Sequence, residues 1–405
     1  EISACLVGSE MCIRDSLYVG YERDESIPRK TIGAQELFLD ILKERAETGR
    51  LYIMNIDHCN SHSSFLDKVS MSNLCQEITL PTTPIQHIDD PNGEIALCIL
   101  SAINIGKIKT NEDLEVLCDL AVRSLDELID FQGYPVRAAE IATRARRSLG
   151  VGYIGLAHYL AKHGVKYDDP GAWQLVHDLT EAFQYYLIKA TTLLAREKGA
   201  CEYSHRTKYG QGILPIDTYK KDVNELVPHV ERMDWAGLRQ QLIDTGIRNS
   251  TLMALMPSET SAQIANATNG IEPPRAYISI KQSKHGVLKQ VVPEYKRLKN
   301  RYDLLWDQRS PEGYIKIMAV LQKYIDQGIS VNTSYNPVFY EDEKIPMSVM
   351  LQHMIMFYQY GGKQLYYFNT NDGQGEIDVS KMMEKKSETL ETVVIDDVEC
   401  ESCTI

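Results

Sequence analysis

The stretch SNLCQEITLP (72–81) sets an amide, a thiol and a carboxylate, Asn73, Cys75 and Glu77, at alternate positions. Read as an extended segment, it would point all three side chains to one face. Such a trio is either a thiol reaction centre with its own base or a buried cysteine between two polar neighbours, and the segment alone leaves both open. If Glu77 acts as a base, burial beside Ile78 and Leu80 suits it to that work. Cys98, in NGEIALCILS, is by default a small buried residue of a strand. Tyr366 and Tyr367 are adjacent in KQLYYFNT, so on a strand they would face opposite sides as ordinary core aromatics. Ser258, Glu259, Thr260 and Ser261 follow a strand-like run and open a helical one, where hydroxyls cap free amides. A helix start of that kind suits a phosphate, or is simply a well-capped helix. Cys400 and Cys403 form CESC on an acidic C-terminal tail that cannot belong to a core, which suits thiol–disulfide exchange.

Two other motifs are weaker. GVGYIG (150–155) matches G-x-G-x-x-G, but the basic, polar EIATRARRSL before it has helical character where a dinucleotide site needs an apolar strand. Small residues allowing close helix packing are the better account. DHCNSHS (57–63) offers His58, Cys59 and His62 to a zinc ion, yet no second ligand pair follows at suitable spacing. Hydrogen bonding around a turn explains them, and no metal site is expected.

The elements that must position these groups are those of a large α/β fold. Helices are expected at 31–49, closed by a glycine, at 172–198, closed by Gly199, and at 313–327 and 346–360. Another, at 111–131, carries Leu114, Leu117, Ala121, Leu125 and Leu128 as its apolar stripe, with Cys118 beside it as plain core. RLYIMNI, NSTLMALMP, RAYISI and KQLYYFN read as short strands. There is no internal repeat. A net charge of -13 argues against a nucleic-acid surface. No window reaches the ~20 apolar residues of a membrane span. Nine cysteines in 405 residues, without a secretory signal, point to free, catalytic or metal-bound thiols in a reducing compartment, the cytoplasm. Residues 1–16 read as foreign, similar to translated sequencing adapter, which sets Cys5 and Cys12 aside. The opening without Met reads as the middle of a longer protein. The expected organisation is then 1–16 non-native, 17–372 one domain, and 373–405 a flexible acidic tail.

SNLCQEITLP, NGEIALC, GILPIDTYKKD, MPSETSAQIANATNGIEPPR and LYYFNT occur in that order. On these segments, from Leu17 onward, the chain resembles the C-terminal half of the large (α) subunit of class I ribonucleoside-diphosphate reductase. The resemblance implies the C-terminal part of a ten-stranded α/β barrel and reduction of ribonucleoside diphosphates to 2'-deoxyribonucleoside diphosphates. Cys75 then resembles the thiyl-radical residue that takes the ribose 3'-hydrogen, Glu77 the base on the 3'-hydroxyl, and Asn73 a partner of the sugar hydroxyls. Cys98 resembles one of two reducing thiols, Tyr366 and Tyr367 the stacked pair that passes the radical, and Ser258 to Ser261 the diphosphate site. Cys400 and Cys403 resemble the tail thiols reset by thioredoxin or glutaredoxin. A shielded radical implies a buried Cys75. The chain itself would bind no cofactor. The radical would come from a metal-containing small (β) subunit, and the tyrosine pair disfavours a cobalamin-dependent relative. A homodimer of the full-length subunit is implied, with allosteric ATP and dNTP sites in a missing N-terminal part. The second reducing cysteine is expected upstream, since Cys59, Cys118 and Cys201 do not fit its motif. The alternatives are a non-catalytic truncated paralogue and, behind it, a metal- or nicotinamide-dependent oxidoreductase.

Overall fold

A computed structural model describes residues 12–283 and 286–371. Cys5, Cys400, Cys403 and the whole of 373–405 lie outside the described residues. Strand β1 is Ile53–Met54, β2 Ile99–Asn104, β3 Leu149–Ile154, β4 Ile278–Ser283, β5 Gly286–Val291, β6 Val331–Tyr335 and β7 Gln364–Thr370. β2 and β3 pair in parallel, as do β6 and β7, while β7 and β1 are antiparallel. Residues 251–255 join the two groups through parallel bridges, Met253 to Val151 and Leu255 to Ile329. The outcome is a mostly parallel arc, ordered β2, β3, 251–255, 329 into β6, β7, β1, which the described residues do not close into a barrel. NSTLMALMP thus lies in the sheet but is held at single bridges, and RLYIMNI shrinks to two strand residues. β4 and β5 form a separate antiparallel hairpin.

A parallel sheet buries both faces and needs helices to cover it; β3 is buried along its whole length. Helix α1 is Ala34–Thr48, α2 Ile56–Ser61, α3 Asn111–Phe131, α4 Arg137–Arg146, α5 Leu156–His163 and α6 Pro170–Lys198. Helix α7 is Trp235–Thr245, α8 Glu259–Ile264, α9 Glu312–Gln322 and α10 Met347–Gln359. α1 ends where expected because Gly49 takes a left-handed φ of 68°. α3 starts at a capping box in which Thr110 accepts from the Asp113 amide. Its buried stripe is Leu114, Cys118, Ala121, Val122, Leu125 and Ile129, so Cys118 lies within the stripe, whereas Leu117 and Leu128 are exposed. α6 supplies Phe183, whose ring meets Tyr153 of β3 edge-on at 5.4 Å.

Three expectations need correction. The helix expected to reach 327 stops at Gln322, whose amide instead donates to the carbonyls of Ile325 and Gln327, offering the backbone a turn in place of another helical turn. The glycines of GVGYIG do not bring helices together: the motif lies within β3, after α4, and only Gly155 stands at the strand-to-helix turn. A methyl at Gly152 would sit 2.5 Å from the Ala254 carbonyl oxygen, so glycine lets the neighbouring backbone approach. The first five residues of DHCNSHS lie in α2 rather than a turn, with His62 just beyond its end, and its histidines reach far along the chain. His58 Nδ1 meets the Gly362 carbonyl at 3.0 Å, and His62 bridges Thr218 Oγ1 and the Gln322 carbonyl. Among the described residues no group of three His, Cys, Asp or Glu could hold a metal ion, and no helix is long and apolar enough to cross a membrane.

From His62 to Cys98 the chain has neither helix nor strand, only isolated bridges from Phe65 to Thr207 and from Thr83 to Glu94. Loops of that length inside a domain usually carry function.

Candidate active site

Residues 72–81 sit on this loop and are not extended. The Gln76 amide bonds to the Asn73 carbonyl at 3.1 Å, closing a turn with Gln76 at a left-handed φ of 72°. Asn73 Oδ1 accepts from the Ile78 amide at 3.1 Å, the local bond through which asparagine competes with a strand. Alternation therefore does not bring the trio together. Cys75 and Glu77 converge instead on Ser330, whose Oγ lies 2.5 Å from the Cys75 carbonyl oxygen and 3.2 Å from Glu77 Oε2. The Gly328 amide donates to the Glu77 carbonyl at 2.8 Å. Glu77 is buried, as expected, at 3 % exposure. Cys75 is half-buried rather than buried, because the turn leaves its neighbour Leu74 77 % exposed.

Cys98 stands at the entrance to β2, its thiol directed inward. Gln327 Nε2 donates to its sulfur across 3.5 Å and to the Leu149 carbonyl at 2.8 Å. Burial pushes this thiol up to about 12, against a downward pull from the Gln327 bond. A methyl on Gly150 would lie 2.9 Å from the sulfur and 2.5 Å from Leu100 Cδ2, so the first glycine of GVGYIG makes room for a thiol. The other cysteines with described side chains, Cys59, Cys118 and Cys201, are buried.

Tyr366 and Tyr367 do not face opposite sides: their ring centroids are 3.9 Å apart. The reason is a bulge. Val331 pairs with Leu365 and Thr333 with Phe368, so Asn332 alone opposes both tyrosines and the alternation loses one step. Other groups satisfy the disturbed backbone. Asn332 Oδ1 accepts from the Tyr367 amide at 3.0 Å, and the buried Arg45 of α1 donates to the carbonyls of Leu51, Tyr366 and Tyr367 at 2.5, 2.8 and 3.4 Å. Tyr366 Oη donates to Cys75 Sγ across 3.5 Å. Burial and its bond to Tyr367 raise the Tyr366 phenol, while hydrogen bonds from Tyr366 and Tyr52 hold Tyr367 below the usual range. Tyr52 completes a three-ring cluster, with centroids 4.8 Å from Tyr366 and 5.7 Å from Tyr367.

Ser258 caps α8 by position only. Its hydroxyl turns back to the Met256 carbonyl at 3.0 Å, and no side chain caps the helix. Thr260 and Ser261 are exposed. This corrects the expected hydroxyl cap.

Sequence reasoning missed Gln327, Ser330, Asn332, Arg45, Tyr52 and Lys363. Gln327 was hidden at the end of a run read as a helix and Ser330 lies just beyond that run, where Gly328 was the available signal. The buried charges Arg45 and Lys363 could be seen only once burial was known.

A family model described as "Ribonucleotide reductase, barrel domain" matches residues 4–302 and 294–368. The ribonucleoside-diphosphate reductase subunit alpha of Haemophilus influenzae is 56 % identical over 366 residues, 90 % of this chain and 48 % of that relative. The ribonucleoside-diphosphate reductase 1 subunit alpha of Escherichia coli is 52 % identical over 362 residues, 89 % of this chain and 48 % of the relative. The subunit alpha of Enterobacteria phage T4 is 42 % identical over 369 residues, again 89 % and 48 %. The chain thus spans about half the length of the curated relatives it matches. With the family model covering most of its length and the arc formed by its largely parallel strands, the chain belongs to the ribonucleotide reductase barrel-domain family.

Proposed function

We propose that the full-length subunit containing this chain reduces ribonucleoside diphosphates to 2'-deoxyribonucleoside diphosphates by a thiyl-radical route. The observation that carries this reading is the line of oxidisable groups from Tyr367 through the adjacent, tilted ring of Tyr366 to Cys75, spaced 3.9 Å between rings and 3.5 Å from phenol to sulfur. A separate small subunit with a metal-based radical would supply the oxidising equivalent to Tyr367. Tyr366, oxidised in turn, takes one hydrogen atom from Cys75 and leaves a thiyl radical. Cys75 removes the ribose 3'-hydrogen while Glu77 takes the 3'-hydroxyl proton. The 2'-hydroxyl leaves as water with a proton from a reducing thiol. Cys98 and a second cysteine upstream of this chain give up two electrons and become a disulfide, and the 3'-hydrogen returns from Cys75.

Asn73, on the same turn, would hold the sugar hydroxyls. The loop from Ser258 to Ser261, on which Thr260 and Ser261 are exposed, would receive the diphosphate. Cys400 and Cys403 would re-reduce the disulfide and be reset by thioredoxin or glutaredoxin, with 373–405 as their tether. Full-length subunits would pair as homodimers in the cytoplasm under ATP and dNTP control. The test is Cys75→Ser in the full-length subunit, assayed with its small subunit. dNDP formation should fall to trace levels, and anything beyond trace refutes the radical assignment.

A further inference from the structure

We infer that Lys363 is a positioning residue whose ammonium clamps the 325–330 turn and thereby holds Cys75, Glu77 and Cys98 in register with the tyrosine strand. The catalytic meaning of that register rests on the function proposed above; the clamp itself rests on geometry. Lys363 is 0 % exposed and immediately precedes β7. Its Nζ donates to three consecutive carbonyls, those of Ile325 at 3.2 Å, Asp326 at 2.9 Å and Gln327. Three N–H bonds meet three acceptors. A neutral amine, with two N–H bonds and a lone pair, must lose at least one of them.

The clamped turn touches each reactive group. Gln327 donates to Cys98 Sγ, the Gly328 amide to the Glu77 carbonyl, and Ser330 Oγ lies against both the Cys75 carbonyl and Glu77 Oε2. Gly328 is also a point of close approach to both neighbouring segments: a methyl there would lie 1.9 Å from Gln364 Oε1 and 3.0 Å from the Gln76 carbonyl oxygen. Through its own carbonyl, Lys363 accepts from the Asn55 amide at 2.7 Å and so is fixed to the start of α2. One side chain therefore joins the strand of the tyrosines to the turn that sets both thiols.

The groups that face the ammonium are Cys59 and His58 from α2, His62 just beyond it, Asp326 from the turn and Lys208. Burial lowers Lys363 from its ordinary 10.5 to about 7, with Cys59 and Asp326 opposing that shift. The folded value lies below the unfolded one, so between about pH 7 and 10.5 the unfolded chain binds more protons. This group then adds stability as pH rises through that window, while the clamp loses its third donor. Stability and turnover should respond to alkali in opposite directions.

The test uses the full-length subunit with Lys363→Met and Lys363→Arg, and two readouts. The first needs no turnover: alkylation of Cys75 and Cys98 by iodoacetamide, followed by mass spectrometry, should speed up about fivefold or more in the methionine variant as the thiols lose their fixed setting. The second, with the small subunit present, should show kcat reduced about tenfold or more, KM for nucleoside diphosphate changed less than about twofold, and the alkaline fall of the wild-type kcat profile absent. If the methionine variant does not melt cooperatively, the arginine variant decides. Arginine keeps the charge on a planar fork that cannot converge on three carbonyls, so it should also speed alkylation. Wild-type alkylation rates in whichever variant folds overturn the clamp. A wild-type subunit that reduces no nucleoside diphosphate overturns the functional reading instead, and alkylation alone then decides the clamp.

Discussion

Replacing Gly150 by alanine separates the packing of this fold from its chemistry. The added methyl would sit 2.5 Å from Leu100 Cδ2, 2.9 Å from Cys98 Sγ and 3.3 Å from Ala254 Cβ. Ordinary contacts lie at about 3.5–4.0 Å, so the leucine tip and the sulfur must each retreat by roughly 1 Å. Leu100 is 41 % exposed and can swing toward solvent. The sulfur, held by Gln327 and backed by β3, can retreat only by moving the entrance of β2. Overpacking of this kind costs about 1–3 kcal/mol, and the freedom of Leu100 places it near the lower end. A displacement near 1 Å at a reacting group costs on the order of 100-fold in rate. The expected result for Gly150→Ala in the full-length subunit is a Tm lowered by a few degrees and a kcat lowered far more than the stability loss explains. Adding Leu100→Ala should restore the Tm but not the turnover. A kcat within about twofold of wild type, or a double variant that regains both, would refute the argument that this glycine exists for the thiol.

Arg45→Met should leave the Leu51, Tyr366 and Tyr367 carbonyls without their buried donor, at a cost of about 1–3 kcal/mol, and should lower kcat with little change in KM. A thermal melt with steady-state kinetics checks this, and an unchanged kcat would mean the bulge holds without the arginine. Thr260→Ala with Ser261→Ala should raise KM for nucleoside diphosphate while kcat changes less. An unaltered KM would count against phosphate binding on that loop.

The α/β class and the long helices were legible because they rest on local rules, whereas the roles given to the candidate site residues came from the family resemblance. α1 ends at a glycine that can go left-handed, and α3 begins at a threonine that can cap. What failed were inferences that needed the neighbouring segment. Asn73, Cys75 and Glu77 were expected on one face by alternation, but the Asn73 side chain folds a turn and Ser330, 255 residues from Cys75, brings the thiol's carbonyl and the carboxylate together. Tyr366 and Tyr367 were expected on opposite faces because a bulge is written in the register between two strands, not in either alone. GVGYIG was misjudged for a similar reason. Its glycines answer to Cys98 and to the Ala254 backbone, both invisible from within the motif.

The bulge in β7 has a further consequence, best put as parity. In a regular strand Leu365 would share a face with Tyr367, and Tyr366 with Phe368. With one step skipped, Leu365 and Phe368 fall on the same side, opposite Val331 and Thr333, and the two tyrosines are released together to the other. Deleting either tyrosine would remove the extra residue and restore plain alternation: Leu365 and Phe368 would keep their pairing with Val331 and Thr333, and a single ring would remain on the other face, so the ring pair would be lost while the strand stayed in phase with β6.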